Sequence, residues 1–458
     1  MVAPQTGLAQ IGGTGGGGGN TIGNGATSGV AVDADGVLRR VTASDPTGQL
    51  ARERVQEALT RLDRNIARRS QLRKVSLTRL ERVMKARLAD GRGVDDAMKH
   101  LAGITRLEYV FCYPKSGDIV IAGPAEAWAK APSGRVLGID SGRPVLDLND
   151  LIVALRAFPP GTENQKPFIF CSIDPTREGL ARLHQFLQQL GGRIGNPAQN
   201  PGEEQFIVNG LRERLGLQVI TVGGISPKTH FAQVMVEADY RMKLIGIGLE
   251  NPPVRLVSYV ARANPSQVAS NALQRWYFVP NYQCVRVSDD AMAMQLVGEG
   301  VKLVGEDEAV SQDGRRHTAA RSNRASEAFV RAFTKIYPKL AERAPVYAQL
   351  RNCIDLAVAA AFIQRQDYYQ LANWKAETFD SESAYPVETL NPPKQVETAV
   401  NALWKGNTLM TPLGGGVQMR PTEAVDPTNL LEDKDAKVKA ARADIDLSKL
   451  APDQWWWD

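Results

Sequence analysis

The stretch Lys228–Tyr259, KTHFAQVMVEADYRMKLIGIGLENPPVRLVSY, decides how the middle of this chain is read, because helix periodicity and a cluster of ionisable groups occupy the same few turns. Phe231, Val234, Ala238, Met242 and Ile245 recur three or four residues apart, the apolar stripe of a helix lying on a core. Glu237, Asp239, Tyr240, Arg241 and Lys243 sit among them. Glu237 precedes Arg241 by four residues and Asp239 precedes Lys243 by four, so each acid reaches a base one turn later. Two such pairs account for the cluster without any catalysis.

Working outward, LGLQVITVGG reads as a strand that turns into this helix through Gly223-Gly224, a position where backbone amides can face an anion, although a tight turn explains the glycines equally well. FIFCSI is a continuous apolar strand, and Asp174-Pro175 opens a helix that runs through Leu190. This order suggests an α/β layered centre. Before it, YVFCY and GDIVIAG form a strand pair, followed by the helical VLDLNDLIVALRAF ending at Pro159-Pro160. After it, WYFVPNYQCVRVS, AMQLVG and VKLVG suit antiparallel pairing, and helices follow at 326–340 and 345–366. Near the start, GVAVDADGVLRRV reads as two strands around Asp35-Gly36, a type I′ hairpin dipeptide, and residues 50–88 read as helical with a break near Ser76.

The expected fold class is therefore mixed, α+β or α/β, in five segments. These are a flexible Gly-rich lead at 1–29, a hairpin with basic helices at 30–105, the α/β centre at 106–250, short antiparallel strands and helices at 251–420, and a charged tail at 421–458 that ends in Trp-Trp-Trp-Asp.

Composition sets the class. With 458 residues, 43% of them hydrophobic and 23% charged, the chain has the make-up of globular protein. It has no run of about 18 apolar residues to span a bilayer. Its N-terminus, MVAPQTGLAQIGG, lacks the charged and apolar regions of a signal peptide, which read literally means a cytoplasmic protein. A chain that opens on a Gly-rich stretch equally suits a mature form. Cys112, Cys171, Cys284 and Cys353 make no CxxC pair, and the strand-like runs around the first three suggest buried thiols. Residues 51–90 hold twelve Lys or Arg against five acids, a net of +7 where the whole chain carries +5. No helix-turn-helix, zinc-finger or RNP pattern accompanies that excess, so solvated basic helices explain it better than nucleic acid.

Several residues could carry chemistry. Asp140-Ser141-Gly142 follows an apolar run as an aspartic-protease carboxylate would, but only one such triplet is present, and the same residues make an ordinary turn. Cys171 and His184 suggest a thiol and its base, yet His184 lies thirteen residues on, among polar neighbours. His230 stands just ahead of Glu237 and Asp239 and could join them as a general base, but no HExxH spacing supports a metal, and no cofactor is indicated. Gly15–Gly19 lacks a preceding strand, and Gly414-Gly415-Gly416 lacks the Lys-Ser/Thr of a phosphate loop. Trp455, Trp456 and Trp457 cannot all enter one core, because neighbouring side chains point apart. They suit either a contact site for a protein or envelope partner or a tail folded back on its own domain.

The segments GDIVIAGPAEAW, SGRPVLDLNDLIVALRA, CSIDPTREGLARLHQFL, VMVEADYRMKLIGIGLE and TPLGGGVQM together resemble an uncharacterised bacterial family, a domain of unknown function found mainly in planctomycete proteins that often look exported. The resemblance spans about residues 30–420. It implies an extracytoplasmic setting and brings no catalytic residues. The leading expectation is a non-enzymatic binding or structural protein of the cell envelope or exterior. The rival is an enzyme whose site gathers Cys171, Asp174, Gly223, Gly224, His230, Glu237 and Asp239 at the C-terminal ends of the central strands.

Overall fold

The computed structural model describes residues 27–162, 165–190, 201–263, 272–310, 316–318, 323–400, 404–405, 408–409, 414–443 and 447–458. Most of the Gly-rich lead, including Gly15–Gly19, lies outside the described residues. The rest is a mixed α and β structure built around two sheets.

The larger sheet runs in the order Thr27–Val32, Val37–Ala43, Gln395–Glu397, Leu217–Gly223, Ile169–Asp174, Gly414–Met419, Ala272–Pro280, Val301–Val310, Arg316–Thr318. The smaller runs Leu431–Glu432, Val285–Val287, Ala293–Leu296, Tyr109–Tyr113, Asp118–Ala125, Ser70–Ser76, Trp456–Trp457. Each sheet mixes strands from distant parts of the chain.

The stripe of the opening stretch is the helix His230–Gly246, and all five of its apolar residues are buried. It lies on the strands Ile169–Asp174 and Gly414–Met419 of the larger sheet. Its other side packs against the helices Pro345–Arg365 and Leu148–Ala157, so nearly the whole surface of this central helix is buried rather than one stripe. Pro345–Arg365 is long and apolar enough to cross a membrane by composition, but its apolar window is entirely buried inside the protein. It is the core helix, and it carries Gln349, Arg351, Asn352, Asp355 and Gln364 into the interior.

Three local expectations change. The hairpin at Asp33–Gly36 is a four-residue loop, not a two-residue type I′ turn. Asp33 accepts from the Val37 amide at 2.9 Å, and only Gly36 takes positive φ, at 86°. The stretch 50–88 holds two helices, Gln49–Arg61 and Leu77–Ala89, with the strand Ser70–Ser76 between them. That strand pairs with Asp118–Ala125 and Trp456–Trp457, and this long-range pairing overrides the local helix pattern. The break expected near Ser76 is the N-cap of the second helix, where Ser76 Oγ accepts from Arg79 N at 3.3 Å.

The third change bears on the site. The strands Ile169–Asp174 and Leu217–Gly223 are antiparallel neighbours, with Phe170 opposite Gly223 and Asp174 opposite Val219. Two helices, Arg177–Leu190 and Pro201–Leu215, connect them and pack on each other through Leu180, Phe186, Ile207 and Leu211. The C-terminal ends of these strands therefore lie at opposite sides of the sheet, and no parallel-strand crevice forms between them.

Candidate functional site

A cleft of about 630 Å³ opens where a small satellite cluster meets the main core. The satellite packs Ala51 and Val55 of the helix Gln49–Arg61 against Ala127 and against Ala129 and Leu137 of the hairpin Trp128–Lys130/Val136–Gly138. On the core side the N-terminal ends of two helices reach the cleft: Leu148–Ala157, through its N-cap Asp147, and the central helix, through its first residue, His230. Trp128, Val136 and Val145 give it an apolar wall. Five Lys or Arg (Arg54, Arg61, Lys99, Lys130, Arg135) and four acids (Glu57, Asp96, Asp147, Glu388) supply the polar lining. Serine, threonine and cysteine are absent from that lining among the described residues.

His230 is the best-held titratable group here. Thr229 caps its helix by accepting from Ala232 N at 3.2 Å, which fixes the first turn. His230 Nδ1 lies 2.8 Å from Asp150 Oδ2, and Asp150 is buried while the histidine side chain stays 36% exposed to the cleft. Desolvation opposes the charged ring, but the Asp150 carboxylate, its hydrogen bond and nearby Asp147 outweigh it, raising His230 to about 9. Asp147 is itself pushed above the usual carboxylate range, first by burial and then by Asp150, against the pull of His230 and His100.

His100, the other histidine of the cleft, behaves oppositely. It packs edge-on against Trp128 with ring centroids 5.7 Å apart. Burial lowers its pKa despite Asp147 and Asp96, a shift opposite in direction to that of His230.

From His230 a chain of polar contacts runs through Gln349 and Arg135 of the lining into the interior. Gln349 Nε2 lies 3.4 Å from His230 Nε2. The Gln349 carbonyl oxygen accepts from Arg135, and Arg135 also pairs with Glu237. Glu237 pairs with Arg241 at 3.5 Å, and Arg241 binds Glu250 at 2.7 Å. The pair expected at Glu237 and Arg241 thus exists, but it lies inside the protein and leads through Arg135 to the cleft.

The second expected pair belongs to a different environment. Lys243 Nζ meets Asp239 at 2.7 Å and also donates to the carbonyl oxygens of Ile173 and Gly415. Asp174 pairs with Arg275 at 3.2 Å. Cys171 is buried in the same region, its thiol driven well above the ordinary value by desolvation and by Asp239. Cys171 and Asp239 are therefore buried with the partly exposed Asp174 nearby, and none of the three lines the cleft. Of the seven residues expected to converge, only His230 lines the cleft, and Glu237 reaches it through Arg135.

The other candidates have structural placements. Gly224 takes φ 80°, and a Cβ there would overlap the Phe168 carbonyl, while one at Gly223 would strike the Phe170 ring. Asp140-Ser141-Gly142 is a turn whose Asp140 and Ser141 amides both donate to Glu126 at 3.1 Å. His184 is on the exposed side of its helix, 3.0 Å from Gln188. The C-terminal tail is folded back: Trp455 is buried, Trp456 and Trp457 pair with Ser70–Ser76, and Arg73 lies 4.9 Å over the Trp456 ring.

Sequence reading missed Asp147, Asp150, His100, Arg135, Trp128 and Gln349. The spacing of Asp147 and Asp150, three apart at a helix start, was visible. Nothing local links Asp150 to His230, eighty residues away. Among the described residues, no group of three or more His, Cys, Asp or Glu side chains is placed to hold a metal ion.

No curated protein and no solved structure matches this chain. Residues 171–259, from Cys171 in the larger sheet to Tyr259 beyond the central helix, match the family described as "Protein of unknown function (DUF1598)". This stretch, which supplies His230 to the cleft and the central helix to the core, is a domain of that family.

Proposed function

We propose that this protein binds a small polar ligand in the cleft, with His230 as the residue on which binding depends. One observation carries the reading: a histidine held by a buried carboxylate, yet with 36% of its side chain exposed in a concave surface that Trp128 also lines. Burying Asp150 for a purely structural contact would favour a closed histidine. Here the ring is presented instead. A thermal-shift screen of the full chain against carboxylic acids, phosphate esters, sugars and polyols tests this. At least one class should raise the melting temperature, and His230→Asn should abolish that rise while the free variant still unfolds cooperatively. A rise retained in His230→Asn, or none with any class, overturns the proposal.

A second reading, acid–base catalysis on the bound ligand, is favoured by the presence of two histidines, His100 and His230, in one lining with pKa shifts of opposite direction. An envelope setting belongs to the proposal through the family resemblance alone, and a protein or envelope partner through the aromatic C-terminal tail alone. Fractionation of the native host checks them, and recovery solely from the cytoplasm would remove the envelope setting.

A further inference from the structure

We propose that part of the cleft is an oxyanion subsite, where His230 Nε2, the Gln349 amide and the Arg135 guanidinium together receive a carboxylate or phosphate group of the ligand. This deepens the reading of the cleft as a ligand site and rests on it.

The orientation of the Gln349 amide decides what His230 Nε2 faces. Its carbonyl oxygen accepts from Arg135, so its NH2 end is the one that faces His230, with the two nitrogens 3.4 Å apart. On the other side of the ring, Nδ1 is committed to Asp150 at 2.8 Å. When His230 is charged, Nε2 and the Gln349 nitrogen are both donors and face one another. Two N–H dipoles held nose to nose are unfavourable unless an oxygen accepts from both. Arg135 adds a cation beside them, held in place by Glu237.

Two further features favour an anion. The helices Leu148–Ala157 and His230–Gly246 both turn their positive N-terminal ends to the cleft. The cationic lining residues also outnumber the acidic ones, even before His230 is counted. Asp147 and Glu388 work against an anion, and Asp150 and Asp147 are also what keep His230 charged, while Arg135 opposes that charge. The subsite is therefore a receptor that needs one proton: neutral His230 would accept from Gln349 and close the pair on itself.

Isothermal titration of the full chain with inorganic phosphate and, separately, with acetate tests this at pH 7 and pH 10. At least one should bind at pH 7, and which one does identifies the group as phosphate or carboxylate. Affinity should fall roughly ten-fold at pH 10 as the ring loses its proton. Gln349→Glu, which supplies its own acceptor, should abolish binding, and Gln349→Met should weaken it roughly ten-fold. Equal affinity in these variants, or at both pH values, overturns the subsite. If neither anion binds while an uncharged compound still stabilises the protein and loses that effect in His230→Asn, the subsite fails and the ligand cleft stands.

Discussion

Lys243 Nζ lies 2.7 Å from Asp239 Oδ2, one helical turn earlier, with the side chains 6% and 0% exposed. The ammonium also reaches two main-chain carbonyls, so it ties the central helix to two strands of the larger sheet at once. Removing Lys243 alone leaves a carboxylate in the core without its counter-ion. Lys243→Met should therefore lose about 3–5 kcal/mol in urea denaturation. The double variant Asp239→Leu/Lys243→Met should lose less than Lys243→Met alone, because neither charge remains buried. Additive losses would show that the two groups do not act as a pair.

Burial raises Asp239 to about 6 despite Lys243, and it raises Asp355 to about 6 despite Arg106 and Arg351. Between the usual carboxylate value near 3.8 and 6, the folded protein holds protons that the unfolded chain releases. Both groups thus make stability fall as pH rises through that window. Asp239→Asn should flatten the slope between about pH 4 and pH 6 in denaturation followed against pH. A slope unchanged in the variant would place Asp239 at an ordinary value.

His230 acts in the next window. Its folded value of about 9 lies above the ordinary 6.5, so its contribution is fully present below 6.5 and is lost as pH rises through 9. His230→Asn should remove that decline. The side chain's 36% exposure lets solvent screen the pair, so the change in slope should be modest. Proton NMR of the ring should show the titration directly, and a midpoint near 6.5 would contradict the Asp150 pairing.

Gly415 sits in the strand Gly414–Met419 with φ 125°, where a Cβ would overlap the Trp276 carbonyl. Its own carbonyl takes the Lys243 hydrogen bond. Gly415→Ala should lose about 2–3 kcal/mol from strain and displacement of the neighbouring strand. A variant as stable as the parent would mean that the sheet opens there without cost.

Arg73 is fully buried and donates to the carbonyls of Ile66 and Ala102, each at 2.8 Å, as well as to Asp458. Arg73→Met keeps the bulk but leaves those carbonyls without this donor, and about 2–3 kcal/mol should be lost. Deleting residues 455–458 should destabilise the protein as well, since it uncovers the strand Ser70–Ser76. If that deletion leaves the melting temperature unchanged, the tail contributes nothing to the fold.

The sequence by itself determined the local elements. Short apolar runs located the strands at 109–113, 118–125 and 169–174, and the period-3.6 stripe located the central helix, because that period follows from backbone geometry; the helices at 324–343 and 345–365 were also legible. It also supplied both acid–base pairs of the central helix, since residues four apart on one helix must meet. Tertiary structure decided the rest. The strand Ser70–Ser76 exists because distant partners complete its hydrogen bonds, and the antiparallel setting of Ile169–Asp174 and Leu217–Gly223 moved the candidate site away from the strand ends. Whether a charged residue is solvated or buried is invisible in a helix repeat when packing surrounds the helix on every side, as it does around Glu237, Asp239, Arg241 and Lys243. The cleft depends on the same physics: Asp150, His230 and Gln349 come from three helices far apart in the chain, and only their packing brings one carboxylate, one imidazole and one amide into contact.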